Sequence, residues 1–201
     1  MSDEDYEILV VPRDKLFPEK AFNGFLARGS FDYEKIILEN WEALLRSQAE
    51  SNFSYKQAVG YALLANFDKK LIFAYQREKD PGARMQRPSW QWSLGGGGHI
   101  EPGDMVDGSI EKGMLREFGE EVRVNGDLKI NALGYINDDE DAFGKLHFAM
   151  LYLIETDATE VLWSEKNEMR VAKFIPVEEA VELKEKRIIR KLVQNRIRAN
   201  T

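Results

Sequence analysis

Two short stretches carry the residue types and spacing that could do chemistry. In GGGGHIEPGD, Gly95 to Gly98 precede His99 and a small acidic turn ending at Asp104. Soon after comes REFGEEV, with Glu117, Glu120 and Glu121 packed into five positions. On a helix these glutamates fall at i, i+3 and i+4, so their side chains share one face within about 6 Å. Like charges at that spacing cost a few tenths of a kcal/mol per pair in the open. A plain surface helix usually dilutes them with lysine. Arg116, one turn before Glu120, can neutralise part of the charge and orient a carboxylate. The remaining acids make a hard-oxygen set suited to Mg²⁺ or Mn²⁺. A solvated glutamate face is the plain alternative.

The glycines weigh against that alternative. Residues without Cβ let backbone approach a ligand closely, and a Gly-rich loop can cradle phosphate. The run lacks the Lys-Ser/Thr of a P-loop and the GxGxxG register of a dinucleotide site, so both of those nucleotide-binding readings fail.

These groups have to be positioned by regular elements. YEILVV (6–11) reads as a strand closed by Pro12, and 31–50 reads as one amphipathic helix with Asp32 as N-cap. AVGYALLANF and KLIFAYQR read as strands joined by a tight turn at 68–70, followed by a polar loop over 78–90. SWQWSL is strand-like, and the glycine run follows it as a loop. The acidic helix is expected to start near Asp107 or Ser109 and end near Val122, with Leu115, Phe118 and Val122 facing the core. LKINALGYI and KLHFAMLYLIE are strands flanking the acidic loop NDDEDAFG. AKFIP is a last strand, and VEEAVEL a helix entered through Pro176. The result is an α/β chain whose mixed sheet carries helices on both faces.

Composition sets outer bounds. The 201 residues suit one domain with an appended segment, and 43% hydrophobic with 31% charged residues is a globular profile. No apolar run approaches the roughly 20 residues of a membrane span, and MSDEDYEILVV lacks the apolar length of a signal peptide. Cytoplasm is the expected location. The absence of cysteine excludes disulfides and thiolate chemistry. A net charge of −7 argues against stable nucleic-acid binding. Residues 184–198 hold seven bases and one acid, a net +6 that leaves −13 on the rest. Ile188, Ile189, Leu192, Val193 and Ile197 make that segment a docked terminal helix with a solvated basic face.

Taken together, the glycines and the acidic helix resemble the Nudix box of the MutT-type hydrolases: Gly, five residues, Glu, seven residues, then Arg-Glu-aliphatic-x-Glu-Glu-x-Gly-aliphatic. Gly98 is followed by HIEPG and Asp104, and REFGEEVRV (116–124) supplies the second half. The order of neighbouring strands and helices is also similar, over about residues 55–195. Three departures stand out. Asp104 replaces the box glutamate, MVDG (105–108) is a four-residue insertion, and Arg123 replaces the closing glycine, with Asn125-Gly126 available for a later turn and an extended helix.

The resemblance implies a Nudix-like α/β/α sandwich over 55–201, with residues 1–54 as an N-terminal strand-plus-helix extension packed on the same domain. It implies hydrolysis of a phosphoanhydride in a nucleoside-diphosphate-linked substrate by water attack on phosphorus, dependent on Mg²⁺ or Mn²⁺. Glu120 and Glu121 would bind metal, Glu117 would be a further ligand or the base, the carbonyl of Gly97 would be another ligand, and Arg116 would orient the carboxylates. A divalent cation there neutralises phosphate charge and lowers the pKa of bound water. Arg77 sits where many members place a phosphate- or base-contacting arginine. Arg84 and Arg87 lie in the following loop, and Trp90 and Trp92 could stack a base, although tryptophan beside a glycine turn is commonly core. A later carboxylate among Asp138, Asp139, Glu140, Asp141, Glu165 and Glu168 would complete the site. His99 is expected to hydrogen-bond its loop and His147 to be structural. The expected partner is a nucleotide-type diphosphate, with a homodimer implied by the family and no membrane contact.

Two other readings share the fold. A binding module that senses a nucleotide without cleaving it has no need for three intact glutamates. An isopentenyl-diphosphate isomerase relies on a cysteine that this chain lacks.

Overall fold

The computed structural model describes residues 5–77, 92–107, 109–163 and 169–183. It is an α/β fold with a large, ten-stranded mixed sheet and a separate two-stranded ladder. The chain divides into two compact units: Met1–Tyr61 with Gly97–Glu117 and Ala132–Tyr152, and Ala62–Gly96 with Phe118–Asn131 and Leu153–Thr201. Strands β4 (Tyr55–Asn66), β9 (Leu128–Asn137) and β10 (His147–Thr156) and helix α4 (Ile110–Glu121) each contribute residues to both.

In the first unit, β1 (Glu7–Pro12) pairs antiparallel with the start of β4, Val10 opposite Gln57. The apolar run ILVV of β1 is buried on both faces, which is why it does not alternate. A short helix, α1 (Arg13–Leu16), follows. Strand β2 (Gly24–Ala27), which the sequence pattern does not reveal, pairs with the end of β9.

The single helix expected over 31–50 is replaced by three elements. Helix α2 (Tyr33–Asn40) starts as expected at Asp32, whose carboxylate accepts the Lys35 N–H at 3.0 Å. The chain then turns extended at Trp41, forms β3 (Glu42–Leu45) against β1, and closes with α3 (Arg46–Ala49). Helix propensity is worth tenths of a kcal/mol per residue. Pairing Glu42–Leu45 with β1 satisfies that strand's backbone and packs Leu44 against Ile8, Val10 and Ala49, and that outweighs it. Phe17, Phe22, Tyr33, Tyr135 and Phe148 form an aromatic cluster with ring centroids 5.1–6.3 Å apart, so the N-terminal segment is part of this unit's core.

In the second unit, the end of β4 turns into β5 (Leu71–Arg77) through Phe67–Lys70, closed by Lys70 N–H to Phe67 C=O at 3.1 Å. Lys70 takes φ +54°, the left-handed conformation such a turn requires. Strand β5 is flanked by β6 (Trp92–Leu94) and β12 (Met169–Pro176), both antiparallel. Strand β8 (Val122–Val124) pairs with β11 (Val161–Trp163). Helix α6 (Val177–Glu182) starts with VEEAVEL as expected, with Pro176 as its N-cap. Phe118 packs edge-on to Phe73 at 6.4 Å.

Two further expectations change. The glycine run is not a loop: Gly96–His99 form strand β7, preceded by Gly95 in a positive-φ conformation. Helix α4 is not extended past the missing box glycine. It stops at Glu121, and Arg123 sits in β8 opposite Leu162. Among the described residues, no helix is long and apolar enough to cross a membrane. The basic segment 184–198 lies outside the described residues.

Candidate active site

Helix α4 carries the acidic motif, and its burial pattern sets the direction of each glutamate. Met114 is fully buried, and Ile110 and Phe118 nearly so. Leu115, expected in the core, is only half-buried. Glu117 and Glu121 flank the buried stripe and are half-buried, whereas Glu120 is exposed. Strand β7 meets those two side chains at its glycines. A Cβ on Gly98 would collide with the Glu117 carboxylate, and one on Gly96 would lie 2.7 Å from Glu121 Oε2. Gly97 has φ +143°, and a Cβ there would collide with the Gly60 carbonyl. Three of the four glycines therefore have a steric purpose: Gly96 and Gly98 make room for carboxylates, and Gly97 lets two backbones touch.

Arg116 holds the first part of this arrangement together. Its Nε and Nη2 donate to the two oxygens of Asp104 at 2.9 and 3.0 Å, a two-pronged grip. Its Nη1 donates to Glu117 Oε1 at 2.8 Å, and Nη2 also reaches the His99 carbonyl at 3.1 Å. Glu101 lies within ion-pair distance at 3.3 Å. These acceptors push the guanidinium further toward its charged form, its bonds to Asp104 being the largest cause. Burial would raise the Asp104 carboxyl, but the Arg116 bonds and the Glu101 N–H hold it below its usual value. The shorter side chain still reaches Arg116. Pro102–Asp107 form a 3₁₀ helix, which takes up most of the insertion, and a Cβ on Gly113 would lie 2.6 Å from Asp104 Oδ2.

The acids of the 137–144 loop are largely tied to local structure. Asp139 pairs with Arg13 and, at 2.8 Å, with fully buried Lys56. Against the upward push of burial, those two cations bring its carboxyl down to about 2. Burial lowers the Lys56 ammonium in turn, and Asp139 partly restores it. Asp141 caps helix α5 (Ala142–Leu146) through the Gly144 N–H, and Asp138 accepts the Glu140 N–H. Glu165 and Glu168 lie outside the described residues, as do Arg84, Arg87 and Trp90.

Arg77 ends β5 opposite Met169 of β12. Trp92 is half-buried, with the Lys173 ammonium 5.4 Å from its ring centre. His99 binds Gln57 through its ring, Nε2 to Oε1 at 2.7 Å, and His147 Nδ1 donates to the Phe143 carbonyl. The sequence reading did not select Gln57 or Glu101. Gln57 stands beside Lys56 just ahead of the apolar run AVGYALLANF, so no pattern in the sequence singles it out.

The profile of the NUDIX domain matches residues 54–195. The chain belongs to the Nudix family. Protein YmaB of Bacillus subtilis (strain 168) is 30% identical over 191 residues, 89% of each chain. The crystal structure of Tm1382 covers 92% of this chain and 95% of its own, with a TM-score of 0.73 and 24% identity. The NUDIX domain of Shewanella oneidensis NrtR, crystallised with ADP ribose, aligns over 79% of this chain and 100% of its own, with a TM-score of 0.56 and 19% identity. Both structures share the fold. By family, the Nudix chain is a pyrophosphohydrolase-type enzyme, and the family's chemistry is hydrolysis of nucleoside diphosphate derivatives.

Whether a divalent cation suits this Nudix site is a question of donors and space. The donors are carboxylate and carbonyl oxygens, the set that Mg²⁺ and Mn²⁺ prefer, and in the first unit the space beside the Glu117 carboxylate is one that a Cβ on Gly98 would fill. Among the described residues, no three acidic or imidazole side chains are gathered closely enough to hold a metal unaided. Mg²⁺ commonly binds through one or two carboxylates and takes its other ligands from water and substrate phosphate. An incomplete protein shell therefore fits that ion.

Proposed function

We propose that this Nudix chain hydrolyses a phosphoanhydride in a nucleoside-diphosphate-linked substrate, with Mg²⁺ or Mn²⁺, by water attack on phosphorus. The observation that carries the reading is the arrangement of Arg116, Glu117 and Gly98: a bound arginine fixes a carboxylate over a backbone stripped of side chains. Glu120, Glu121 and the Gly97 carbonyl would hold the ion, with Glu117 as a further ligand or the base and with water and substrate phosphate completing the shell; the ion when bound neutralises phosphate charge and acidifies water. Arg116 holds Glu117 in one orientation. In the base role Glu117, beside the attacking water, takes the proton that the water loses. Asp104 pins Arg116 from the other side, so the carboxylate approaches in one geometry. Arg77, Arg84, Arg87 and Trp92 are proposed substrate contacts. Residues 1–54 serve as an extension packed on the 55–201 catalytic domain, the protein working in the cytoplasm and as a homodimer.

The ADP ribose bound to the NrtR domain names a first compound to try. Purified protein with Mg²⁺ or Mn²⁺ is incubated with nucleotide sugars, dinucleoside polyphosphates, NADH, ADP-ribose and oxidised nucleoside triphosphates. Turnover of at least one compound is expected. Tight nucleotide binding without metal-dependent turnover anywhere in the panel would make the chain a nucleotide-sensing module instead.

A further inference from the structure

The chain has only two histidines, and they meet. His99 on β7 and His147 on β10 are 48 residues apart in sequence, yet their ring centres lie 5.4 Å apart. Gln57 on β4, the strand beside both β7 and β10, joins them through its bond to His99. The three side chains share one sheet face. Gly60 faces Met114 of α4 and Gly98 faces Glu117, so by strand alternation Gln57 and His99 face away from that helix. The opposite, α4-side face of this unit is covered by Met114 and by the aromatic cluster around Phe148. The Gln57 face stays half-open: Val59, His99, His147 and Ala149 are partly exposed, while Ala58, Phe148 and Met150 between them are buried.

Three features of this face point to its occupant. Phe143 stacks on His147 at 4.0 Å and 23°, and His147 continues to His99, so the rings form a continuous aromatic edge. Val59 and Ala149 give a low apolar floor beside it. Gln57 is fully buried, and its Nε2 has no hydrogen-bond partner among the described residues. A buried amide donor left unsatisfied costs about 1–3 kcal/mol, a cost relieved when a ligand supplies an acceptor. The cations on neighbouring positions are engaged elsewhere, Lys56 by Asp139 and Arg116 by Asp104 and Glu117, so the face is not built for an oxyanion.

We propose that Gln57, His99, His147 and Phe143 form the subsite for the nucleobase of the substrate, a planar uncharged ring that stacks on the aromatic edge and accepts a hydrogen bond from Gln57 Nε2. This deepens the hydrolase reading, since it names the part of a nucleotide that the chain recognises apart from the diphosphate. It also gives roles in binding to His99, which the sequence presents as bonding its own loop, and to His147, which it presents as structural.

Because there are only two histidines, labelling with ¹⁵N-histidine gives two imidazole signals, read on the full chain at fixed pH without metal. The probes are AMP, GMP, CMP and UMP, with ribose 5-phosphate as the control that lacks a base. At least one nucleotide should shift both imidazoles at concentrations where ribose 5-phosphate shifts neither. Gln57→Leu, which removes the buried donor while keeping an apolar side chain of similar length, should weaken that nucleotide about tenfold, the worth of one hydrogen bond. His147→Gln, on the half-exposed edge, should weaken it as well and guards against a folding defect in the first variant. Equal shifts with ribose 5-phosphate, no shift with any nucleotide, or unchanged affinity in both variants would overturn the proposal. Binding is measured without turnover, so failure of the hydrolase reading and failure of this subsite are separate results.

Discussion

At the scale of single residues, charge pairing sets the direction of each functional group. Arg116 is shared by Asp104 and Glu117, and the buried Lys56 is shared by Asp139 and two backbone carbonyls. The second cluster makes a pH prediction. The Asp139 carboxyl is depressed from 3.8 to about 2, so its contribution is fully present above the unfolded value and is lost as pH falls through the folded one. The shift corresponds to about 2 kcal/mol. Asp139→Asn should lose at least that stability at pH 7 by urea denaturation, and the gap between variant and parent should narrow as pH falls from about 5 to 2. A pH-independent gap would assign the effect to packing. The three glutamates were legible in the sequence because spacing alone places them on one helix face. Their different exposures were not, because the inward stripe runs through Met114 rather than Leu115, and both residues suit a core.

At the scale of elements, the glycine strand decides how closely β7 approaches α4. Two substitutions separate its jobs. Gly98→Ala puts a methyl where the Glu117 carboxylate sits, and that side chain can rotate away. Activity should fall about 100-fold, while stability changes by less than about 1 kcal/mol. Gly97→Ala forces a side chain into a positive-φ position and against the Gly60 backbone. It should cost about 2–4 kcal/mol, since neither main chain can move aside cheaply. Urea denaturation and initial rates on the same two proteins distinguish these effects. The strand itself was not readable, because a run of glycines has no side-chain alternation to betray it. The acidic helix, with its 3.6-residue pattern, was placed within a few residues. The 31–50 segment misled for the opposite reason: its helical spacing is real, but β1 needs a partner strand.

At the scale of the whole chain, the N-terminal 54 residues are more than an appendage. Strands β1 and β2 pair with β4 and β9, Arg13 binds Asp139, and Phe17, Phe22 and Tyr33 cover Phe148. A chain beginning at residue 55 exposes that cluster and strips β4 of its neighbour. It should show no cooperative unfolding transition and no near-ultraviolet circular dichroism signature of packed aromatics. A cooperative, active fragment would show that the catalytic domain stands alone. This integration was invisible in the sequence, because the pairing partners lie about 45 to 110 residues apart.

The proposed role of Glu117, held by Arg116 beside the glycine strand, is in metal-dependent phosphoanhydride hydrolysis. Its most direct measurement is the initial rate on whichever panel compound turns over, with saturating Mg²⁺, for the parent chain and for Glu117→Gln. The rate should drop at least about 100-fold, with an unchanged urea midpoint and with Glu120→Gln impaired alongside. A Glu117→Gln protein that hydrolyses the compound at the parent rate would contradict the account.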